Sequence, residues 1–162
     1  MRWSPVGLAL LSAVLLVTVL AMAQEPPLPG GDTGQRGRKA KLAERDRLAG
    51  QARQLQQAGK PAEAIQALDR VLALEREVFG VVHEECAGTL EWIARLEEAM
   101  GEHAGARRRL VQALLLRTEL RGREHWSVAD ARRAIDDLNL REKLGPEERQ
   151  QLDDADALIT QA

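Results

Sequence analysis

The sequence predicts an all-α protein, built as a short antiparallel stack of about three helical hairpins in the manner of an α-solenoid. Beyond residue 40 the chain is rich in Leu, Ala, Arg, Glu and Gln, which favour helices. Aromatic residues make up 2% of the chain, whereas sheets favour aromatic and β-branched side chains. Apolar residues at helical spacing also recur at a fixed offset of 42 residues.

The N-terminal segment, residues 1–23, has the pattern of a secretory signal peptide. Arg2 gives it a positive start, an apolar run follows, and Ala21 and Ala23 fit the −3 and −1 positions of a cleavage site. This pattern predicts export, to the periplasm or as a secreted protein. An uncleaved membrane anchor over residues 6–23 is the alternative, since that run reaches the lower length limit for a spanning helix.

The next segment, residues 24–40, contains three prolines and four glycines and is predicted to be a flexible linker. Residues 41–160 are predicted to form one helical repeat domain. Its first two helices are expected at residues 41–58 and 61–79. Glycines mark the ends of the predicted helices, because a left-handed turn strains Gly least. They are Gly59, Gly80, Gly101, Gly122 and Gly145.

The offset of 42 residues relates successive units of this domain. A helix pair cannot bury its own apolar stripe, so stacked pairs share one core. The units are expected at residues 44–80, 84–122 and 126–160, the last as a degenerate cap, because Asp136 stands where the core would need a small apolar residue. The matched pairs are Leu48 and Leu90, Ala52 and Ala94, Gly59 and Gly101, Ala64 and Ala106, Leu68 and Leu110, Gly80 and Gly122, and His83 and His125.

Two stretches carry a resemblance to a known family. GKPAEAIQALDRVLALEREVFGVVH begins at Gly59, and TLEWIARLEEAMGEHAGARRRLVQALLLRTELRGREHWSVA begins at Thr89. Both resemble the kinesin-light-chain class of tetratricopeptide repeats, which has a 42-residue unit with a longer second helix. The sequence departs from that class at Glu97, where an aromatic residue is usual, and at Trp126, where proline is usual. The resemblance implies a noncatalytic scaffold for protein–protein interaction.

The resemblance also implies where a partner would bind. In stacks of this class the first helix of each unit lines the concave face, and its residues outside the core meet the partner. The mixed charges suggest a polar groove for a protein or peptide segment. The predicted residues are Asp46, Arg53 and Gln56 in unit one, Glu91, Arg95 and Glu98 in unit two, and Asp130, Arg133 and Asp137 in the third.

No catalytic residue, cofactor site or metal site is predicted, and the formal net charge of −2 does not favour nucleic acid. His83 and His125 occupy equivalent turns, so stacking should separate them by a repeat rather than bring them to one ion. Cys86 is predicted to be a small buried apolar residue. Glu97 and Glu98 are neighbours along a helix and are predicted to be solvated charges.

Three alternatives remain open at this point. The chain could be a shortened relative of a repeat protein that carries a C-terminal catalytic domain of the peptidase type. It could also be a membrane-tethered envelope assembly factor, if the N-terminal segment is retained. Because two full units and a partial one are near the minimum for independent stability, homodimerisation is also open.

Overall fold

In the computed structural model, five helices with short turns between them make up most of the part of the chain that is described. The structure describes residues 30–145, 147–148, 150–152 and 154–155, and among these no strand occurs, so the all-α prediction is confirmed. Residues 147–148, 150–152 and 154–155 are also helical. The five helices are α1 (Gly30–Gln57), α2 (Pro61–Phe79), α3 (Glu84–Ala99), α4 (His103–Arg121) and α5 (Trp126–Lys143).

The predicted signal peptide, residues 1–23, and the start of the predicted linker lie outside the described residues. Within the described part of the chain, no helix has both the length and the apolar character needed to cross a membrane.

Helix α1 begins at Gly30 rather than near residue 41, so residues 30–40 are helical and not the flexible linker that their composition predicted. All three prolines of that segment precede Gly30, so none interrupts the helix, although all four of its glycines lie within residues 30–40. The guanidinium of Arg38 also stands over the ring of Phe79 in α2, 5.9 Å from its centroid. The second helix lies at residues 61–79, as predicted.

The helix boundaries have clear local causes. Gly80 follows α2 with a φ of +92°, and the three other predicted boundary glycines before residue 145 also have positive φ values. His83 and His125 begin α3 and α5 as capping residues: the Nδ1 atom of each accepts the backbone N–H two residues later, over 3.2 Å. The repeated histidines are therefore explained by helix capping, a role that their position in a turn did not by itself reveal.

The contacts between helices define their relative directions. Lys41 near the middle of α1 bonds to Glu77 at the end of α2, over 2.8 Å. Likewise Arg107, early in α4, donates to Asn139, late in α5, over 3.0 Å. Consecutive helices are therefore antiparallel. Because the chain folds back at each turn, α1, α3 and α5 run in one direction and α2 and α4 in the other.

Two of the three clusters that form the hydrophobic core of the described residues are built from equivalent residues, and the third joins α2, α3 and α4. One cluster joins α1, α2 and α3, and another joins α3, α4 and α5. Each member of the second cluster lies 42 residues after a member of the first. The packing of one unit on the next is thus repeated, and each buried leucine contributes about 1.5–3 kcal/mol by leaving water. The equivalent pairs are Ala52 and Ala94, Ala64 and Ala106, Leu68 and Leu110, Ile93 and Ile135, and Leu96 and Leu138.

Helix α3 packs one of its faces against α4, and the equivalent face of α5 has a different character. In α3 that face is formed by Ala87, Leu90 and Ala94, which are buried. The equivalent residues of α5 are Ala129, Arg132 and Asp136, and their side chains lie on a face that is not part of the buried core. Asp136 thus places a charge where α3 has a core alanine, and this face of α5 remains polar.

Candidate functional site

A groove of about 840 Å³ lies between α3 and α5, with residues of α4 at its base. We call it the α3–α5 groove. Five of the nine residues predicted to bind a partner line it: Glu91, Arg95, Glu98, Asp130 and Asp137. The structure therefore brings together all three predicted residues of the second unit and two of the third, while Arg133 and the residues of the first unit lie elsewhere.

The floor of the α3–α5 groove is apolar and its rim is charged. Ala94, Leu110, Ala131, Ala134 and Leu138 line the groove. Three of these, Ala94, Leu110 and Leu138, also belong to the buried cluster that joins α3, α4 and α5, so the groove opens directly onto the core. An apolar floor with a few polar groups around it is the usual composition of a binding cleft.

Glu91 is held by the protein itself. Arg117 of α4 donates from Nε and Nη2 to the two carboxylate oxygens of Glu91, over 2.7 and 2.9 Å, and from Nη1 to Glu84. The hydrogen bond to Glu91, with the charges of both glutamates, raises the pKa of Arg117 above its usual value despite the desolvation of its side chain. Glu91 is therefore a structural partner of Arg117 before it is a contact for any ligand.

Arg95 and Asp137 are the charged residues of the groove most available to a ligand. Both are exposed, and neither forms a hydrogen bond or ion pair with another described residue. By contrast, Asp130 is bonded to Arg133, and Glu98 lies 3.9 Å from a guanidinium nitrogen of Arg141. The groove thus presents one free cation and one free anion among its described residues.

Four of the predicted residues do not line the groove. Arg133 is exposed on α5, and Asp46 bonds to Arg45 within α1, over 3.0 Å. The other two, Arg53 and Gln56, hold the ring of Trp92. The guanidinium of Arg53 is 5.6 Å from the ring centroid, and Gln56 accepts the indole N–H over 2.8 Å.

One substitution between units explains why the groove lies between α3 and α5. Trp92 packs against the cluster that joins α1, α2 and α3, and so fills the space between α1 and α3. The residue 42 positions later is Ala134, which lines the groove. A small side chain at this position leaves open the volume that an indole occupies in the preceding unit. The sequence alone shows that Trp92 aligns with Ala134 at the offset of 42 residues. Predicting a groove from this pair also requires knowing that Trp92 packs between α1 and α3.

A second and smaller pocket, of about 310 Å³, includes Glu75 of α2 in its lining. Glu75 is 1% exposed, and its Oε2 atom has no hydrogen-bond partner within the described residues. Its Oε1 atom lies 3.8 Å from Arg45. Burial raises the pKa of Glu75 above its usual value, although Thr89 and Arg45 act in the opposite direction.

The raised pKa of Glu75 gives stability a dependence on pH. The folded chain binds this proton more tightly than the unfolded chain, so the stabilising contribution is complete below the ordinary glutamate pKa and is lost as pH rises through the raised pKa. We therefore expect Glu75→Gln to unfold at higher urea concentration than wild type at neutral pH, with the advantage shrinking as pH falls. Urea unfolding at a series of pH values measures this.

Glu119→Gln serves as a matched control for Glu75→Gln, because Glu119 is exposed. Its stability relative to wild type should not change over the same pH range. An advantage of Glu75→Gln that does not vary with pH would contradict the titration of Glu75 and indicate an effect of packing alone.

Glu97 corrects one expectation from the sequence. It was predicted to be a solvated charge, but it is only 7% exposed. Its carboxylate lies against Gly105 of α4, where an added Cβ would approach its carboxyl carbon to 3.1 Å, and 3.5 Å from Nε of Arg109. Gly105 therefore provides the space that the Glu97 carboxylate occupies.

Cys86 is fully buried, in agreement with its predicted packing role, and its thiol lies 3.6 Å from the carbonyl oxygen of Gly80. Burial raises the pKa of the Cys86 thiol, which disfavours the reactive thiolate. In the part of the chain that the structure describes, no three His, Cys, Asp or Glu side chains are grouped to hold a metal ion.

Comparison with known proteins leaves the family open: no protein-family model matches the sequence, and no curated protein matches it either.

Proposed function

We propose that this chain is an exported, noncatalytic repeat protein of the tetratricopeptide type, and that its α3–α5 groove binds an extended segment of a partner protein. The observation that carries the proposal is the groove itself, with its apolar floor and with Arg95 and Asp137 free at its rim. Binding sites for protein segments combine a buried apolar contact with a charged rim that selects the partner.

The repeat type is supported by three features that recur with the same offset. The two capping histidines, the two core clusters and the glycines after α2 and α4 all differ by 42 residues. The antiparallel helix pairs are what such a repeat needs to build one continuous core. Export is supported by the sequence pattern of residues 1–23, and the intact mass of the exported chain would show whether they are removed.

Peptide display tests the groove and does not require that the partner be identified first. Peptides selected on the immobilised chain should bind the double variant Arg95→Ala with Asp137→Ala at least about tenfold more weakly, since the loss of two charged contacts exceeds about 1.4 kcal/mol. The free energy of unfolding of the variant should stay within about 0.5 kcal/mol of that of wild type, because both side chains are exposed. Binding of each selected peptide is measured by fluorescence anisotropy.

The matched control is Arg108→Ala with Glu119→Ala, which removes one cation and one anion from exposed positions of α4 outside the groove. Arg107 is unsuitable as a control because it bonds to Asn139 and Glu142 of α5. Selected peptides that bind both double variants as tightly as wild type would exclude the groove as the binding site.

A further inference from the structure

The contact between units one and two shows how this protein holds an indole ring. Trp92 of α3 packs on the core between α1 and α3, with the Arg53 guanidinium 5.6 Å from its ring centroid. Its indole N–H donates to Oε1 of Gln56 over 2.8 Å. A cation over the ring and an acceptor for the N–H satisfy both the face and the polar edge of tryptophan.

The same two groups recur 42 residues later without a ring between them. Arg53 corresponds to Arg95, and Gln56 corresponds to Glu98, whose carboxylate is also a hydrogen-bond acceptor. Trp92 corresponds to Ala134. Arg95, Glu98 and Ala134 all line the α3–α5 groove, and we call these three residues the vacant indole seat.

An exposed tryptophan lies at the same groove. Trp126 is the first residue of α5, lines the groove and is 70% exposed, the highest value among the large hydrophobic residues that the structure describes. Its ring is tilted against that of His125, with 5.4 Å between the centroids. Tryptophan in water retains a large apolar area whose burial favours association, and it is among the residues most often central to protein interfaces.

We infer that a second copy of this chain occupies the groove, and that each copy inserts Trp126 into the vacant indole seat of the other. This inference rests on the proposed function, since it names the partner segment that the groove receives. A two-fold interface requires that the inserted group and its seat lie on one surface, because that surface meets itself. Trp126 and the seat meet this requirement, as all four residues line one groove.

Charge complementarity supports the same arrangement. If two α5 helices meet antiparallel so that residue 126 of one lies at residue 134 of the other, the two-fold axis passes near Asp130. Residue 137 of one copy then lies near residue 123 of the other, which pairs Asp137 with Arg123. Both are exposed, and neither forms an ion pair with another described residue of its own chain. Asp130 near the axis is already neutralised by its bond to Arg133.

Sedimentation equilibrium of the purified chain tests the inference. Wild type should be dimeric, and Trp126→Ala should weaken the dimer at least about 30-fold, the usual minimum for a central interface tryptophan. Ala134→Trp should have a similar effect, because it fills the seat with a ring of the same chain, as Trp92 does between α1 and α3. Leu115→Ala is the control: Leu115 is 63% exposed but does not line the groove, and this variant should remain dimeric.

Mixing the two variants provides a sharper test. The Trp126→Ala chain has an open seat and no inserted ring, whereas the Ala134→Trp chain has the ring and a filled seat. Each alone should be monomeric, and the mixture should form a heterodimer through one insertion. If Trp126 instead closes the groove of its own chain, the mixture should not form a heterodimer. A mixture that stays monomeric therefore overturns the inference. Circular dichroism confirms that both variants are helical before mixing.

Two further results separate this inference from the proposed function. The proposal that a second copy occupies the groove is overturned if wild type remains monomeric up to about 100 μM. It is also overturned if Trp126→Ala does not weaken the dimer. If displayed peptides still bind in a manner that depends on Arg95 and Asp137, the groove as a binding site stands. If neither dimer nor groove-dependent peptide binding is found, both proposals fail.

Discussion

Replacing Leu68 with alanine should lower the free energy of unfolding by about 2–5 kcal/mol. Leu68 is 0% exposed and lies in the cluster that joins α1, α2 and α3. Its removal deletes buried apolar contacts and leaves a cavity that the surrounding alanines are too small to fill. Since a domain of this size has a total stability of roughly 5–15 kcal/mol, the loss would be a large share of it. Urea unfolding followed by circular dichroism measures the change.

The repeat-equivalent substitution, Leu110→Ala, is the natural comparison. Leu110 is 7% exposed and lines the α3–α5 groove, so water can enter part of the space that the substitution creates. We therefore expect Leu110→Ala to cost less than Leu68→Ala, although both positions are core. A loss below about 1 kcal/mol for Leu68→Ala would mean that the register of the repeat is wrong.

Replacing Arg117 with methionine should cost about 2 kcal/mol, because it leaves Glu84 and Glu91 without their shared partner. Hydrogen bonds between charged groups contribute about 1.5–3 kcal/mol each, and more of that value is retained where water is excluded. The Arg117 side chain is 15% exposed and that of Glu91 is 21% exposed, but Glu84 is 41% exposed. The pair with Glu91 should therefore dominate, and solvent should screen much of the pair with Glu84.

Arg121→Met is the matched control for Arg117→Met. Arg121 also approaches Glu84, with 3.6 Å between nitrogen and oxygen, but its side chain is 51% exposed. Its loss should change stability by less than about 0.5 kcal/mol. The double variant Arg117→Met with Glu91→Met should recover stability relative to Arg117→Met alone, since no unpaired carboxylate remains at position 91. Equal costs for the two arginine variants would contradict a structural role for the Glu91 pair.

The sequence was sufficient to predict the all-α class, the position of α2 and six repeat-equivalent core residues: Ala52, Ala64, Leu68, Ala94, Ala106 and Leu110. These features depend on local propensity and on a period that recurs along the chain, both of which are visible without coordinates. Sequence reasoning did not place the start of α1, because four glycines, which disfavour helices, lie within its first residues, whereas the three prolines precede it. It also took Glu97 for a solvated charge, since the space that receives this side chain is provided by Gly105 on another helix.

The candidate site was predictable in outline but not in detail. The resemblance implied that the first helix of each unit lines a binding face, and this was enough to select Arg95, Glu98 and Asp137, which line one groove. Only the tertiary structure decided that Glu91 is already bound by Arg117, that Arg53 and Gln56 hold Trp92, and that the open space lies between α3 and α5. These outcomes depend on distances between side chains far apart in sequence, such as the 2.7 Å from Arg117 to Glu91. Helical periodicity fixes the face on which a charge lies, whereas its availability to a ligand depends on which neighbour is close enough to neutralise it.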